Sequence, residues 1–155
     1  MDELTHLDAE GHARMVDVAE RAVTTRTATA SGRVTTTAAG RIAAGDVPKG
    51  DVVAVARVAG IMATKRTPDL VPLCHPIAVH GVEVEVIVVP EACEVRLRAT
   101  VRTADRTGVE MEALTAVAVA GLTVIDMVKA VDPHAALRDV LVEAKDGGRS
   151  GSWTR

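Results

Sequence analysis

Apolar and polar positions alternate most clearly between Val82 and Val101. Val82, Val84, Val86 and Val88 alternate with Glu83, Glu85 and Ile87; after Pro90-Glu91-Ala92, Val95, Leu97, Ala99 and Val101 alternate with Arg96, Arg98 and Arg102. Period two over two such runs predicts an antiparallel hairpin. Pairing Val86 with Leu97 sets Glu85 opposite Arg98, giving one apolar face and one solvated, charge-complementary ladder. The pattern changes at Gly108. From there to Val131 the run reads as a helix, and from Ala113 onward it is small or apolar except for Thr115, Thr123, Asp126 and Lys129.

The remaining elements follow from propensity and punctuation. Thr24 to Thr37 is rich in threonine, a β-branched residue that favours strands. Ala38 to Ala44 suits a short helix. Gly45-Asp-Val-Pro-Lys-Gly50 is turn chemistry, and Asp51 can cap a helix from Val52 to about Lys65 that Thr67-Pro68 stops. A last strand is expected from Leu137 to Lys145. The order β-α-β-β-α-β predicts an α+β, ferredoxin-like fold, an antiparallel sheet with two main helices on one face. One domain over residues 1–155 fits the length. Residues 1–20 lack a sustained period and are expected to order only against something else, and residues 146–155 are expected to be partly flexible.

Asp126 and Lys129 stand three residues apart and leave the same helix face. In so apolar a stretch they are expected to be partly desolvated, which would shift both pKa values. At 100° per residue, Glu112, Thr115, Val119, Leu122 and Asp126 fall within one narrow sector. Two carboxylates and a lysine along one face suit a long polar ligand.

Composition narrows the classes. The chain has no Phe, no Tyr, one Trp and a net charge of −3, which argues against a nucleic-acid binder needing basic surface and stacking rings. With small core side chains each burying little area, a subunit interface is a natural supplement. Asp126 interrupts the longest apolar stretch, so no membrane span is expected, and Met1-Asp-Glu-Leu-Thr carries no signal-peptide pattern, which together predict a cytoplasmic protein. Cys74 and Cys93 have no metal-ligand spacing and read as buried thiols. No metal site and no cofactor are expected.

Three further segments carry candidate chemistry. In Leu70-Val-Pro-Leu-Cys-His-Pro-Ile77 two prolines stiffen the backbone around Cys74-His75. His75 there is either a phosphate donor or acid/base, or a histidine bonded to a backbone carbonyl; His6, His12, His80 and His134 lack such framing and read as surface residues. In Lys145-Asp-Gly-Gly-Arg-Ser-Gly151, read as a loop, paired glycines let backbone N–H groups approach an anion beside Lys145 and Arg149. Lys49, Arg57, Lys65 and Arg66 lie around the first long helix and add cationic groups enough for a polyphosphate.

Lys49-Gly-Asp-Val, Ala59-Gly-Ile, Lys65-Arg-Thr, Leu73-Cys-His-Pro76, Gly108-Val-Glu-Met-Glu-Ala-Leu-Thr115 and Asp126-Met-Val-Lys-Ala130, in that order, resemble the family of molybdenum cofactor biosynthesis protein C, the cyclic pyranopterin monophosphate synthases. The resemblance spans about Leu4 to Gly151. It implies a lyase that converts 3′,8-cyclo-7,8-dihydro-GTP to cyclic pyranopterin monophosphate and pyrophosphate. It also implies a ferredoxin-like core and a homo-hexamer, a trimer of dimers, with sites at subunit interfaces. Asp126 matches the family's catalytic acid/base and Lys129 its partner. Leu73, Cys74, His75, Met111 and Glu112 match substrate-contacting positions, and Lys49, Arg26 and Lys145 match basic positions near the site. The chain departs at Ala19, where relatives usually carry Ser or Thr, and at Asp146 and Arg149, in a loop that more often reads Lys-Ser-Gly-Gly-Lys-Ser-Gly. Arg for Lys keeps the charge and changes the hydrogen-bond geometry.

The residues suit that chemistry independently, because an Asp-Lys pair and a histidine can move protons and clustered cations can stabilise departing phosphate oxygens. The competing reading is a ferredoxin-like module that only senses an anionic nucleotide, since this superfold hosts many functions. A sensor has no need of Asp126, Lys129 and Glu112 on one helix side.

Overall fold

The computed structural model describes residues 7–155; His6 lies outside them. In chain order the elements are β1 (Thr24–Thr35), α1 (Ala39–Ala43), α2 (Val52–Thr64), α3 (Thr67–Leu70), β2 (Val79–Val89), β3 (Glu94–Asp105), α4 (Glu110–Val128), β4 (Ala136–Asp146) and β5 (Trp153–Thr154). The sheet order is β2-β3-β1-β4-β5, every pair antiparallel. The first four strands and the helices α2 and α4 on one face make the expected ferredoxin-like arrangement.

The hairpin has the register its pattern predicts. Val86 pairs with Leu97 and Glu85 with Arg98; Val84, Val86, Val95, Leu97, Ala99 and Val101 turn into the core. On the outer face Glu85 and Arg98 lie 3.9 Å apart, and Arg33 joins Glu94 and Asp139 in the same layer. The exposed Glu85–Arg98 and Arg33–Asp139 pairs contribute little stability, whereas Glu94 is buried and also accepts from Arg96.

Asp51 caps α2 by accepting a hydrogen bond from the Ala54 N–H at 2.9 Å. Pro68 does end α2, and it also starts α3, because its missing N–H costs nothing in a first helical turn. Trp153, in the segment expected to be flexible, pairs with Lys145 as part of β5. Cys93 is exposed rather than buried. It sits at φ 53 just after the Pro90–Ala92 turn, where the hairpin reverses and the side chain points outward. Cys74 is half-buried.

α4 has the length and apolar composition of a membrane span, contrary to the reading that Asp126 interrupts it. Its contacts give that composition another use. Ala113, Ala116, Val117, Ala120, Val124 and Val128 are buried against the sheet and α2. No large ring separates the layers, so the backbones come close. A Cβ on Gly60 of α2 would lie 3.0 Å from the Ala116 carbonyl oxygen and 3.4 Å from the Ala120 Cβ. Gly60→Val should therefore push α2 away from α4 and destabilise the chain by about 1–3 kcal/mol, the usual cost of overpacking. Urea unfolding with an unchanged midpoint would show that this approach is not tight.

Candidate active site

α4 carries a charged cluster at each end. At its N-terminal end a cavity of about 370 Å³ opens between α4, the Leu73–His75 loop, the end of β4 and the chain before β1. Arg26, Leu73, Cys74, His75, Met111, Glu112 and Lys145 all line it. Seven of the ten residues singled out from the sequence thus meet in one place.

Each is held by a nameable contact. Arg26 is buried on β1 and donates its Nε–H to the Asp105 carbonyl at 3.0 Å. Gly147 and Gly148, at φ +86 and +81, carry the chain so close that a Cβ on Gly148 would overlap the Arg26 guanidinium. Lys145 belongs to β4, where the expected last strand ends, and the ladder with β1 continues one residue further to Asp146, a residue expected in the loop. The Lys145 Nζ lies 3.1 Å from Glu110 Oε1 and 2.6 Å from Ser150 Oγ. Arg149 also lines the cavity. His75 is bonded to a backbone carbonyl, its Nε2 lying 2.7 Å from the Val16 carbonyl oxygen, and its ring forms part of the cavity wall.

Sequence reading missed Arg21, Glu110, Val16 and Val18, which line the same cavity. Glu110 had a signal, an acid in the first turn of α4 two residues from Glu112. The chain around Val16 had none, because it has no regular structure; the Val16 carbonyl meets His75 Nε2.

Glu112 is only 3% exposed, and burial, with a smaller push from the charge of Glu110, raises its carboxyl from 4.5 to about 7. Burial, then the charge of Glu112, pushes the Cys74 thiol up. Near neutrality the Glu112 carboxyl is therefore divided between its protonated and ionised forms.

The second cluster is at the other end of the helix. Lys129 Nζ lies 2.7 Å from Asp126 Oδ1, while Lys49 Nζ lies 2.8 Å from Oδ2 and 2.9 Å from the Asp126 carbonyl. The expected desolvation is absent, as the three side chains are 45–60% exposed. Asp126 shifts for a different reason. Hydrogen bonds from Lys129 and then Lys49 hold its carboxyl down at about 2.

Nor does the helix stripe form one ligand face within the chain. Fourteen residues at 1.5 Å each put Glu112 and Asp126 about 21 Å apart along the axis. The stripe starts buried at Glu112 and Thr115 and emerges into solvent by Leu122, which is 57% exposed. Arg57, Lys65 and Arg66 lie outside the cavity too. Arg57 donates to the Val84 carbonyl, Arg66 pairs with Asp69, and Lys65 is exposed.

A sequence model of the MoaC family matches residues 15–148, a span that includes both clusters. The chain belongs to the MoaC family. Among similar proteins, cyclic pyranopterin monophosphate synthase of Streptomyces coelicolor is 61% identical over 99% of this chain and 91% of its own length. That of Nocardioides sp. is 61% identical over 98% of the chain and 95% of its own length. The Chloroflexus aurantiacus protein of the same name is 54% identical over 99% and 96%.

The raised Glu112 carboxyl makes stability depend on pH. Between about 4.5 and about 7 the folded chain keeps a proton that the unfolded chain has lost. The stability linked to Glu112 is therefore full below about 4.5 and declines as pH rises through about 7. Glu112→Gln should remove that decline and be more stable than the parent at pH 8, by on the order of 3 kcal/mol for a buried group. Urea unfolding at pH 4.5 and pH 8 tests it, and parallel pH profiles for the two proteins would contradict it.

Proposed function

We propose that this chain is a cyclic pyranopterin monophosphate synthase, a phosphorus-oxygen lyase of molybdenum cofactor biosynthesis. It converts 3′,8-cyclo-7,8-dihydro-GTP to cyclic pyranopterin monophosphate and pyrophosphate. The observation that carries this reading is the pairing of two site halves that the family's chemistry needs. One is a cavity rich in Arg and Lys beside a carboxyl that titrates near neutrality. The other is a carboxylate gripped by two lysines.

Arg26, Lys145 and Arg149 bind the triphosphate in this reading, and their positive charge stabilises the oxygens of departing pyrophosphate. Leu73, Cys74, His75 and Met111 contact the ring system. Opening the purine-derived ring and reclosing it as a pterin moves protons at nitrogen and carbon, which suits Glu112 and His75 at the cavity and Asp126 with Lys129 at the second cluster. Lys49 holds the Asp126 carboxylate from the other side.

Halves about 21 Å apart on one helix cannot act on one small substrate within a chain. We therefore place the site between two copies, the cavity of one facing the Asp126 cluster of the next, within a homo-hexamer built as a trimer of dimers. Exposed Val55, Val58 and Met62 on α2, with Leu122 one turn before Asp126, offer apolar surface for that contact. A cytoplasmic location accompanies this reading.

Asp126→Asn keeps the side chain's shape and removes its charge and proton affinity. With the cyclic dihydro-GTP substrate it should lower turnover about 10²–10⁴-fold; activity within a few-fold of the parent would remove Asp126 from the chemistry. Lys129→Ala should slow single turnover with substrate affinity retained, whereas Lys145→Ala should chiefly weaken binding. Identical defects in both variants would refute that division of roles.

A further inference from the structure

We infer that Asp132 is a positioning residue for the Lys49-Asp126-Lys129 cluster, clamping the C-terminal end of α4 to the segment that delivers Lys49. The inference rests on the reading of that cluster as catalytic.

Asp132 lies just beyond α4 and is 6% exposed. Its Oδ2 accepts from the Thr36 hydroxyl and from the Thr37 N–H, both at 2.8 Å, and its Oδ1 accepts from the His134 N–H at 3.0 Å. Three donors converge on one carboxylate, and together they hold its carboxyl below the usual range. Its own N–H continues the helix end by donating to the Val128 carbonyl at 2.8 Å. The carboxylate thus joins α4 to the junction after β1.

That junction leads stiffly to Lys49. The Thr36 hydroxyl also accepts from the Ala38 N–H at 3.1 Å, and the Ala38 carbonyl accepts from Ile42. Asp46 N–H donates to the Arg41 carbonyl and Gly50 N–H to the Val47 carbonyl. Ala38, Ala39, Ile42 and Val47 are buried in the core. From Thr36 to Gly50 the chain behaves as one braced piece. Lys49 at one end reaches Asp126, and Thr36 at the other reaches Asp132 six residues further on. Fixing the second contact fixes the distance available to the first, and misplacement of a reacting group by about 1 Å can cost about 100-fold in rate.

Two variants loosen the clamp without touching the cluster. Thr36→Val removes the hydroxyl link, and Asp132→Asn turns one acceptor into a donor facing the His134 N–H. Thr36→Ser keeps the link and serves as the rescue. With ¹³C-labelled Asp carboxyls, the parent and Thr36→Ser should show Asp126 ionised throughout the range from about pH 3 to 5. Thr36→Val and Asp132→Asn should show it titrating there, nearer its ordinary 3.8. In turnover of the cyclic dihydro-GTP substrate, both variants should lose about tenfold or more in kcat with KM within about twofold. An Asp126 titration and a kcat unchanged from the parent in either folded variant would overturn the role. If Asp126→Asn itself proves active, the catalytic reading fails, and the Asp126 titration alone then decides the clamp.

Discussion

Close packing of α4 against the sheet and α2 is the constraint on which the rest of the structure depends. With Val and Ala as its main currency, the core has no ring to act as a spacer, and Gly60 of α2 lies almost on the α4 backbone. The result is a tightly held helix of 19 residues. Whatever stands at its two ends is fixed at a set separation. The same packing explains why an apolar composition suited to a membrane is used here inside a globular core.

The two ends offer carboxyl groups opposite surroundings. Glu112 is covered by the Leu73–His75 loop and the cavity walls, so loss of water dominates and the proton is retained near neutrality. Asp126 emerges into solvent, where two ammonium groups dominate and the proton is lost even in acid. The helix thus presents, near neutrality, one carboxyl that can still hold a proton and one that stays ionised. Since each group sits on the same rigid rod, the split is a consequence of where the helix enters and leaves cover.

Much of this was legible in the sequence. The hairpin register could be read from Val86, Leu97, Glu85 and Arg98 because one face is buried, and a one-residue slip would expose every valine. Leu73, Cys74, His75, Met111 and Glu112 could be named because they stand in motifs that resemble those of the family; from the residues alone only the proline-framed Cys74-His75 loop and Glu112 on its helix stripe stood out. Periodicity failed where tertiary cover decides the outcome. It placed Glu112 and Asp126 on one side of a helix, correctly, but carries no record of which turns are roofed, so the expected desolvation of Asp126 did not materialise. The segment through Val16 and Val18 was invisible as a cavity wall because no regular backbone pattern organises it. Trp153 looked like tail because Gly147, Gly148 and Gly151 interrupt the run after Lys145; its short strand is set by pairing with β4.

The central claim is that one working site draws its cavity from one copy and its Asp126 cluster from another, and subunit mixing tests it most directly. Arg26→Ala should disable the cavity and Asp126→Asn the cluster, each alone nearly inactive. Equal amounts of the two, dissociated together and reassembled, should recover about a quarter of parental activity, because a quarter of the sites in a random two-chain pairing then draw both halves intact. Activity that stays at the level of the separate variants, under conditions where labelled subunits are seen to exchange, would contradict the claim.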